Sequence, residues 1–234
     1  MKNKIDCIAK GTQYPETNSL PKQHPAGVAD YTLYLVTDRE LMFAESIEKC
    51  VEQAILGGCT VVQLREKTAS SKEFFQMALR VREITSRLNV PLIINDRADI
   101  ALAVNADGVH IGQEDLPYDA VRQIIGQNKI VGVSVSNLSE AVKAFEMGAD
   151  YLGVGAMFAT RTKTDANIVT IDELKLIRAK VTIPIVVIGG INKETVPLFK
   201  GTGIDGIAVV SAIVSQNDEA KAAQELKSIF QGIK

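Results

Sequence analysis

The sequence has little of what metal clusters, disulfide frameworks or nucleic-acid surfaces require. Its 234 residues include two histidines and three cysteines, and no tryptophan. Three cysteines are an odd number without metal-ligand spacing, so we expect reduced thiols rather than disulfides or a zinc site. The formal net charge of -2 gives no basic excess. We therefore expect no nucleic-acid partner, because proteins that bind phosphate backbones carry a basic surface.

Long apolar runs are missing as well. No stretch approaches the roughly 20 apolar residues of a membrane helix, and the amino terminus lacks the apolar core of a signal peptide. We therefore expect a cytoplasmic protein without a membrane partner. With 46% hydrophobic and 23% charged residues, the composition is that of a globular protein with a buried core.

Residues 1–30 differ from the rest of the chain. They carry prolines and glycines among polar residues and have no helical or strand period. This composition predicts a loosely ordered N-terminal leader, with a short docking segment as the alternative. Residues 31–234 then form a single domain.

In that domain, short apolar runs alternate with longer amphipathic stretches, which predicts repeated βα units. The strands run apolar without alternation, as in a parallel sheet that is covered on both faces. Eight units predict an α/β fold of the (β/α)8 TIM-barrel type. An open doubly wound sheet is the alternative, but no glycine fingerprint follows the first strand. The predicted strands are Leu33–Thr37, Val61–Leu64, Leu92–Asn95, Gly108–Ile111, Ile130–Ser134, Tyr151–Gly155, Pro184–Ile188 and Gly206–Val210. The predicted helices are Ala44–Leu56, Phe74–Leu88, Ala98–Val104, Tyr118–Ile125, Leu138–Met147, Ile171–Arg178, Thr195–Lys200 and Glu219–Phe230.

Several helix boundaries have their own sequence signals. Ser70 with Glu73, and Thr170 with Glu173, fit the capping box, in which a hydroxyl and a carboxylate bond each other's backbone. Gly58 and Gly148 stand where helices are expected to stop, because glycine adopts the left-handed conformation there at low cost.

Unusual polar residues gather at the carboxyl ends of the predicted strands, where TIM barrels build their active sites. Strand alternation predicts that Gln63, Arg65 and Lys67 project to one side. An arginine grips phosphate oxygens in pairs and a lysine adds a point charge, so the three suit a diphosphate. Solvated charges at a strand end are the alternative.

Asn95, Asp96 and Asp115 follow two neighbouring strands, so the two carboxylates are expected to lie close together. Mg²⁺ is commonly held by one or two carboxylates together with phosphates and waters. A glycosidase-like acid/base pair competes with this hypothesis. It needs one protonated carboxyl group, and neighbouring cations would lower its pKa. Capping of the helix near Ala98 is the structural alternative for Asp96.

Further along the chain, the loop around Thr160, Thr162 and Lys163 is rich in hydroxyls and cations, which suits a lid over phosphates. An ordinary hydrophilic loop is the alternative. Gly190 and Ser211 follow strands seven and eight, whose loops often bind phosphate in this fold, although a plain turn would also explain the glycine. His110 lies within a strand and is interpreted as a structural residue outside the mechanism.

Taken in order, these motifs resemble those of the thiamine phosphate synthase (thiamine-phosphate pyrophosphorylase) family, from about residue 31 to the end. The resemblance implies a transferase of thiamine biosynthesis. Such an enzyme joins 4-amino-2-methyl-5-(diphosphomethyl)pyrimidine to a thiazole phosphate and releases diphosphate, by way of a pyrimidine carbocation. The motifs are Leu33–Asp38, Gln63–Lys67, Asn95–Asp96, His110–Asp115, Thr160–Lys163 and Ile188–Ile191.

The resemblance also implies residue roles and a Mg²⁺ cofactor, and a homo-oligomer is compatible with it. Arg65, Lys67 and Lys163 would be catalytic, and Asp96 and Asp115 would hold Mg²⁺. The pyrimidine diphosphate would be bound by Gln63, Arg65, Lys67, Asn95, Ser134 and Lys163. The thiazole phosphate would be bound by Thr160, Thr162, Gly190, Val210 and Ser211.

Three alternatives stay open at this point. A thiazole tautomerase shares the barrel, but it is expected to lack the two aspartates and to carry a histidine near position 136, which is serine here. A Schiff-base aldolase needs a lysine desolvated inside the barrel, whereas Lys163 stands in a polar loop. A non-catalytic phosphate-binding barrel is the third.

The leader generates the first prediction. Deleting residues 1–29 should leave the melting temperature and the specific activity nearly unchanged, because this segment precedes the first strand. Thermal denaturation and an activity assay on the full and shortened chains measure both quantities. A large loss of either would mean that the segment docks on the barrel.

Overall fold

The structure is a computed structural model that describes residues 29–160 and 167–234. Almost all of the predicted leader, and the predicted site residues Thr162 and Lys163, lie outside these ranges. All neighbouring strands pair in parallel and close into one barrel in chain order, which confirms the (β/α)8 prediction. The strands are β1 Leu33–Val36, β2 Val61–Leu64, β3 Leu92–Asn95, β4 Gly108–Ile111, β5 Ile130–Val135, β6 Tyr151–Val154, β7 Ile185–Val187 and β8 Gly206–Val209.

The helices cover the outside of the barrel, and none within the described ranges is long and apolar enough to cross a membrane. A 3-10 turn, Val196–Phe199, replaces the helix that was predicted over residues 195–200. The helices are α1 Ile47–Leu56, α2 Ser71–Arg87, α3 Ala98–Ala103, α4 Tyr118–Ile125, α5 Leu138–Glu146, α6 Ile171–Lys180, α7 Ser211–Val214 and α8 Glu219–Gln231.

Helix α1 begins three residues later than predicted, because the Ser46 side chain accepts a hydrogen bond from the Lys49 backbone and caps the helix there. The capping box at Ser70 is complete. The second box is only half correct. Thr170 accepts from the Glu173 backbone at 3.1 Å, but the Glu173 carboxylate accepts from the Leu138 backbone at 2.7 Å. That carboxylate therefore links the first turns of α6 and α5.

Two apolar layers surround the strands. On β1, Leu33 and Leu35 pack with the helices, whereas Tyr34 and Val36 belong to the cluster inside the barrel. Cys50 is a free thiol in the outer layer, as is Cys59, and burial raises the pKa of Cys50 to about 12. Neither thiol is in a disulfide, which agrees with the expectation of reduced cysteines, and a raised pKa makes a thiol a poor nucleophile; Cys7 lies outside the described residues.

The amino-terminal end of the barrel is tied by a repeated arrangement, which we call the aspartate clamp. Each clamp is an aspartate one residue before an even-numbered strand. Its carboxylate accepts the backbone N–H of the first or second residue of the preceding strand, and it pairs with an arginine from the helix that comes before this preceding strand. A hydroxyl takes this role at β2, where Thr60 accepts from the Leu33 backbone at 3.0 Å. The three clamps are Asp107 with Leu92 and Arg82, Asp150 with Val131 and Arg122, and Asp205 with Ile185 and Arg178.

The clamps differ in burial, which generates a prediction about stability. The Asp107 side chain is fully buried, whereas that of Asp205 is 45% exposed. Asp107→Ala leaves Arg82 buried without its partner, so we expect a loss of about 3–5 kcal/mol in the free energy of unfolding. Asp205→Ala removes a solvated pair and should cost roughly 1 kcal/mol. Urea unfolding of both variants measures the difference, and equal losses would contradict the role of burial.

Candidate active site

The predicted site residues that the structure describes lie at the carboxyl ends of the strands or in the loops that follow. They divide into two groups on the rim of the barrel. The first group lies at the ends of β2, β3 and β5 or in the loops after β2, β3 and β4, and comprises Gln63, Arg65, Lys67, Asn95, Asp96, Asp115 and Ser134. The second follows β6, β7 and β8 and comprises Thr160, Gly190, Val210 and Ser211.

Two carboxylates meet between β3 and β4. Asp96 and Asp115 lie within hydrogen-bonding reach of each other, and the Asp96 carboxylate is 2.5 Å from the Lys67 ammonium. Burial raises the pKa of Asp96, the neighbouring Asp115 adds to this, and Lys67 acts in the opposite direction. Two close carboxylates in a half-buried place favour a cation between them.

This pair fits the donor set that Mg²⁺ takes when phosphates and waters complete its shell. Within residues 29–160 and 167–234, no group of three or more histidine, cysteine or acidic side chains could hold a metal by itself. The residues present would therefore hold Mg²⁺ together with a phosphate ligand rather than as a closed protein site.

The Asp96 backbone is in the left-handed region, with φ of 61°. Its N–H donates to the His110 carbonyl at 2.8 Å, so the chain turns sharply at the end of β3. The helix cap of α3 is Arg97, and no side chain bonds the cap. Capping, the structural alternative for Asp96, is therefore wrong. Left-handed backbone at a residue other than glycine is costly and often marks a functional position.

The two cations that follow β2, Arg65 and Lys67, pair with different carboxylates. The Arg65 guanidinium pairs with Asp38 at 3.0 Å, toward the loop after β1, and Lys67 reaches Asp96 after β3. Gln63 is buried inside the barrel, where its amide nitrogen donates to the Tyr34 hydroxyl at 2.9 Å. The three side chains thus have different partners, Tyr34, Asp38 and Asp96.

A cavity of about 320 Å³ lies on the other side of the rim, and its lining includes Thr160, Gly190, Val210 and Ser211. Gly189 and Gly190 both have positive φ, 96° and 65°. A Cβ at Gly190 would lie 2.7 Å from the Phe158 Cβ, so glycine is required where the β7 loop meets the β6 loop. The cavity brings together the described residues that were predicted to hold the thiazole phosphate.

Sequence reasoning missed the buried polar residues behind the rim. His110 was interpreted as a structural residue, and both of its ring nitrogens are bonded, Nδ1 to the Tyr151 hydroxyl and Nε2 to the Ser134 hydroxyl, each at 2.8 Å. Nothing in the sequence indicated these partners. Burial lowers its pKa to about 4, so the ring is neutral at physiological pH. The missed signal is polar residues at inward positions of apolar strands. The short helix α7, which starts at Ser211, was also missed, because four residues give no period.

Comparisons with known proteins agree on one family. The family model described as thiamine monophosphate synthase matches residues 33–213. The thiamine-phosphate synthase of Clostridium beijerinckii is 59% identical over 201 residues, which is 86% of this chain and 96% of that protein. That of Ruminiclostridium cellulolyticum is 61% identical over the same length and shares.

Solved structures lead to the same family. Thiamine phosphate pyrophosphorylase from Pyrococcus furiosus superposes with a TM-score of 0.81 at 40% identity, covering 88% of this chain and 98% of that one. KGPDC from Streptococcus mutans, with a TM-score of 0.62 at 14% identity over 87% of this chain and 98% of that one, shares the fold alone. From its sequence and its structure, the chain belongs to the thiamine monophosphate synthase family.

Proposed function

We propose that this chain is a transferase that joins 4-amino-2-methyl-5-(diphosphomethyl)pyrimidine to the thiazole phosphate, giving thiamine phosphate and diphosphate. The observation that carries the proposal is the carboxylate pair Asp96 and Asp115 with Lys67 against it, at the rim of a barrel of this family. Diphosphates are commonly bound by cationic side chains and by a metal that carboxylates hold, and this place offers the cations and two carboxylates.

In the reaction, the bond between the pyrimidine methylene carbon and the diphosphate oxygen breaks, and its electron pair leaves with the diphosphate. The lone pair of the thiazole nitrogen then forms the new carbon–nitrogen bond. Negative charge grows on the departing oxygens, so donors that are already in place lower the barrier. Arg65 and Lys67 are such donors, and the resemblance adds Lys163, which lies outside the described residues. The chemistry requires no nucleophilic side chain.

Mg²⁺, held by Asp96 and Asp115, would add positive charge beside the diphosphate oxygens. The protein's own part is to hold the two carboxylates together and to keep Lys67 beside them. The cavity beside Gly190 and Ser211 would receive the thiazole phosphate, with glycine leaving backbone N–H groups accessible to the phosphate.

The thiazole tautomerase alternative has less support. Position 136, where that activity is expected to carry a histidine, is serine, and its hydroxyl donates to the Glu140 carboxylate at 3.0 Å. A residue engaged in this way is a poor candidate for a general base. The non-catalytic barrel is tested by turnover.

The direct test supplies the purified protein with the pyrimidine diphosphate, the thiazole phosphate and MgCl2. Thiamine phosphate and diphosphate should form in equal amounts, and omission of either substrate is the control. A chain that binds both substrates without forming product would be a binding barrel, and the proposed activity would be wrong.

The carboxylate pair generates the next prediction. Asp96→Asn and Asp115→Asn should each lower kcat/KM at least about a hundredfold, because a neutral amide holds Mg²⁺ poorly. Asparagine is chosen because it tolerates the left-handed backbone at position 96. The control is Asp119→Asn, an exposed carboxylate on α4, which should keep full activity. Full activity of the doubly substituted chain, or of the unmodified chain in a chelator, would contradict the metal site.

Arg65 generates a prediction that separates binding from chemistry. If it neutralises charge that grows as the bond breaks, Arg65→Ala should slow a single turnover at saturating substrate by roughly a hundredfold or more. Arg65→Lys keeps the charge without the paired geometry and should recover part of the rate. Lys163→Ala is expected to behave like Arg65→Ala. The control Arg87→Ala breaks an exposed pair with Glu52 and should leave the rate unchanged. A normal rate with weaker binding alone would make Arg65 an anchor.

A further inference from the structure

A chain of four hydrogen bonds crosses the barrel interior and joins β2 to β5, which are not neighbours in the barrel. We call its three middle residues, Tyr34, Tyr151 and His110, the relay. Gln63 Nε2 donates to the Tyr34 hydroxyl at 2.9 Å, and the two tyrosine hydroxyls are 2.7 Å apart. The Tyr151 hydroxyl is 2.8 Å from His110 Nδ1, and His110 Nε2 is 2.8 Å from the Ser134 hydroxyl. Both ends, Gln63 and Ser134, are predicted to hold the pyrimidine diphosphate.

The relay rings occupy space that two glycines leave open. A Cβ at Gly132 would overlap the Tyr151 ring, and a Cβ at Gly153 would lie 3.0 Å from His110 Cε1. The Tyr34, Tyr151 and His110 side chains are buried. Rings that are enclosed in this way keep their positions, so the hydrogen bonds between them are fixed in geometry.

The chain of bonds has a direction. Both ring nitrogens of His110 are hydrogen-bonded, and a ring nitrogen that accepts from a tyrosine hydroxyl leaves the other nitrogen to donate. Because the Gln63 amide donates to the Tyr34 hydroxyl, that hydroxyl donates its own hydrogen bond to Tyr151. The Tyr151 hydroxyl in turn donates to His110 Nδ1. Nε2–H then donates to Ser134. In the reverse direction, the Tyr34 hydroxyl would face the Gln63 amide NH2, which cannot accept a hydrogen bond. The Tyr34 O–H would then be buried without a partner, which is costly.

This direction sets the polarity of both ends together. On the side-chain amide of Gln63, Nε2 is bonded to Tyr34, and Oε1 is left to accept a hydrogen bond from a ligand. The Ser134 hydroxyl accepts a hydrogen bond from His110 Nε2–H and is left to donate its own O–H to a ligand. A ligand that meets both must offer a donor to Gln63 and an acceptor to Ser134.

We propose that Tyr34, Tyr151 and His110 are positioning residues that make the site specific for the aminopyrimidine. The amino group and the adjacent ring nitrogen of that substrate are a donor beside an acceptor. The 4-oxo analogue carries a carbonyl oxygen beside a ring N–H, which reverses both. The inference rests on the proposed function and deepens it by naming what distinguishes the two pyrimidines.

Tyr151→Phe tests the relay, because it removes one hydroxyl and keeps the ring. We expect the ratio of kcat/KM for the amino over the 4-oxo pyrimidine diphosphate to fall about tenfold or more. Without the Tyr151 hydroxyl, the Gln63 amide no longer determines whether the Ser134 hydroxyl donates or accepts. The KM for the thiazole phosphate should stay unchanged. Tyr34→Phe breaks the relay one bond earlier and should give the same fall, so the test does not depend on one variant folding well.

Tyr31→Phe is the matched control. The Tyr31 ring lies 4.7 Å from the Tyr151 ring in the same interior cluster, but its buried hydroxyl has no hydrogen-bond partner in the described part of the chain. The substitution removes the same atom from the same layer without touching the relay. It should keep the substrate ratio of the unmodified protein, whereas a general effect of interior packing would change all three variants alike.

Titration calorimetry with the two pyrimidine diphosphates, without thiazole phosphate, adds a measurement that needs no turnover. A preference for the amino compound that collapses in Tyr151→Phe and Tyr34→Phe, and persists in Tyr31→Phe, supports the relay. The same preference in all four proteins overturns it. Absence of thiamine phosphate formation by the unmodified protein would overturn the proposed function, while the calorimetric comparison would still decide the relay.

Discussion

The aspartate clamps tie strands, turns and helices together at the amino-terminal end of the barrel. In each clamp, an aspartate carboxylate accepts a backbone N–H near the start of a strand. An arginine from the covering helix balances the charge of this carboxylate. Sheet, turn and helix are thereby tied at one point in alternate units. The carboxylate of Asp107 is fully buried and is stable only while its partner is present, so this clamp depends on all three elements. The polar residues of the candidate site lie at the opposite rim of the barrel.

At that rim, the cations are already held by carboxylates. Arg65 is paired with Asp38 and Lys67 with Asp96, so each charged head has a defined place before any ligand arrives. A diphosphate would have to compete with these carboxylates for the same donors. When a diphosphate replaces a carboxylate as the partner of Arg65 or Lys67, the side chain is already oriented. The site therefore needs little reorganisation on binding.

Much of the fold was readable from the sequence, because apolar runs, caps and glycine stops are local signals. Strands β2, β3 and β4 were predicted to the residue, whereas the end of β7 was overextended by one residue where the chain turns into Gly189. The Glu173 carboxylate was assigned to its own helix, although it bonds Leu138, because a local motif carries no information about a neighbouring helix.

The candidate site was predictable where function places polar residues at strand ends, as with Asp96 and Asp115. The relay was not, because Tyr34 and Tyr151 count as apolar in a strand pattern and His110 looks isolated in sequence. Their association arises only when β1, β4 and β6 close into a barrel. The roles of the site residues remain predictions, including those of Thr162 and Lys163 outside the described ranges.

The left-handed backbone at Asp96 has an evolutionary consequence. Glycine would adopt φ of 61° without cost, and asparagine nearly so, yet neither brings a negative charge to the pair with Asp115. A random search for thermostable variants should therefore favour replacing this aspartate, and under the proposed function the gain in stability would come with a loss of activity. Folding and the proposed metal site would then place opposing demands on this one position.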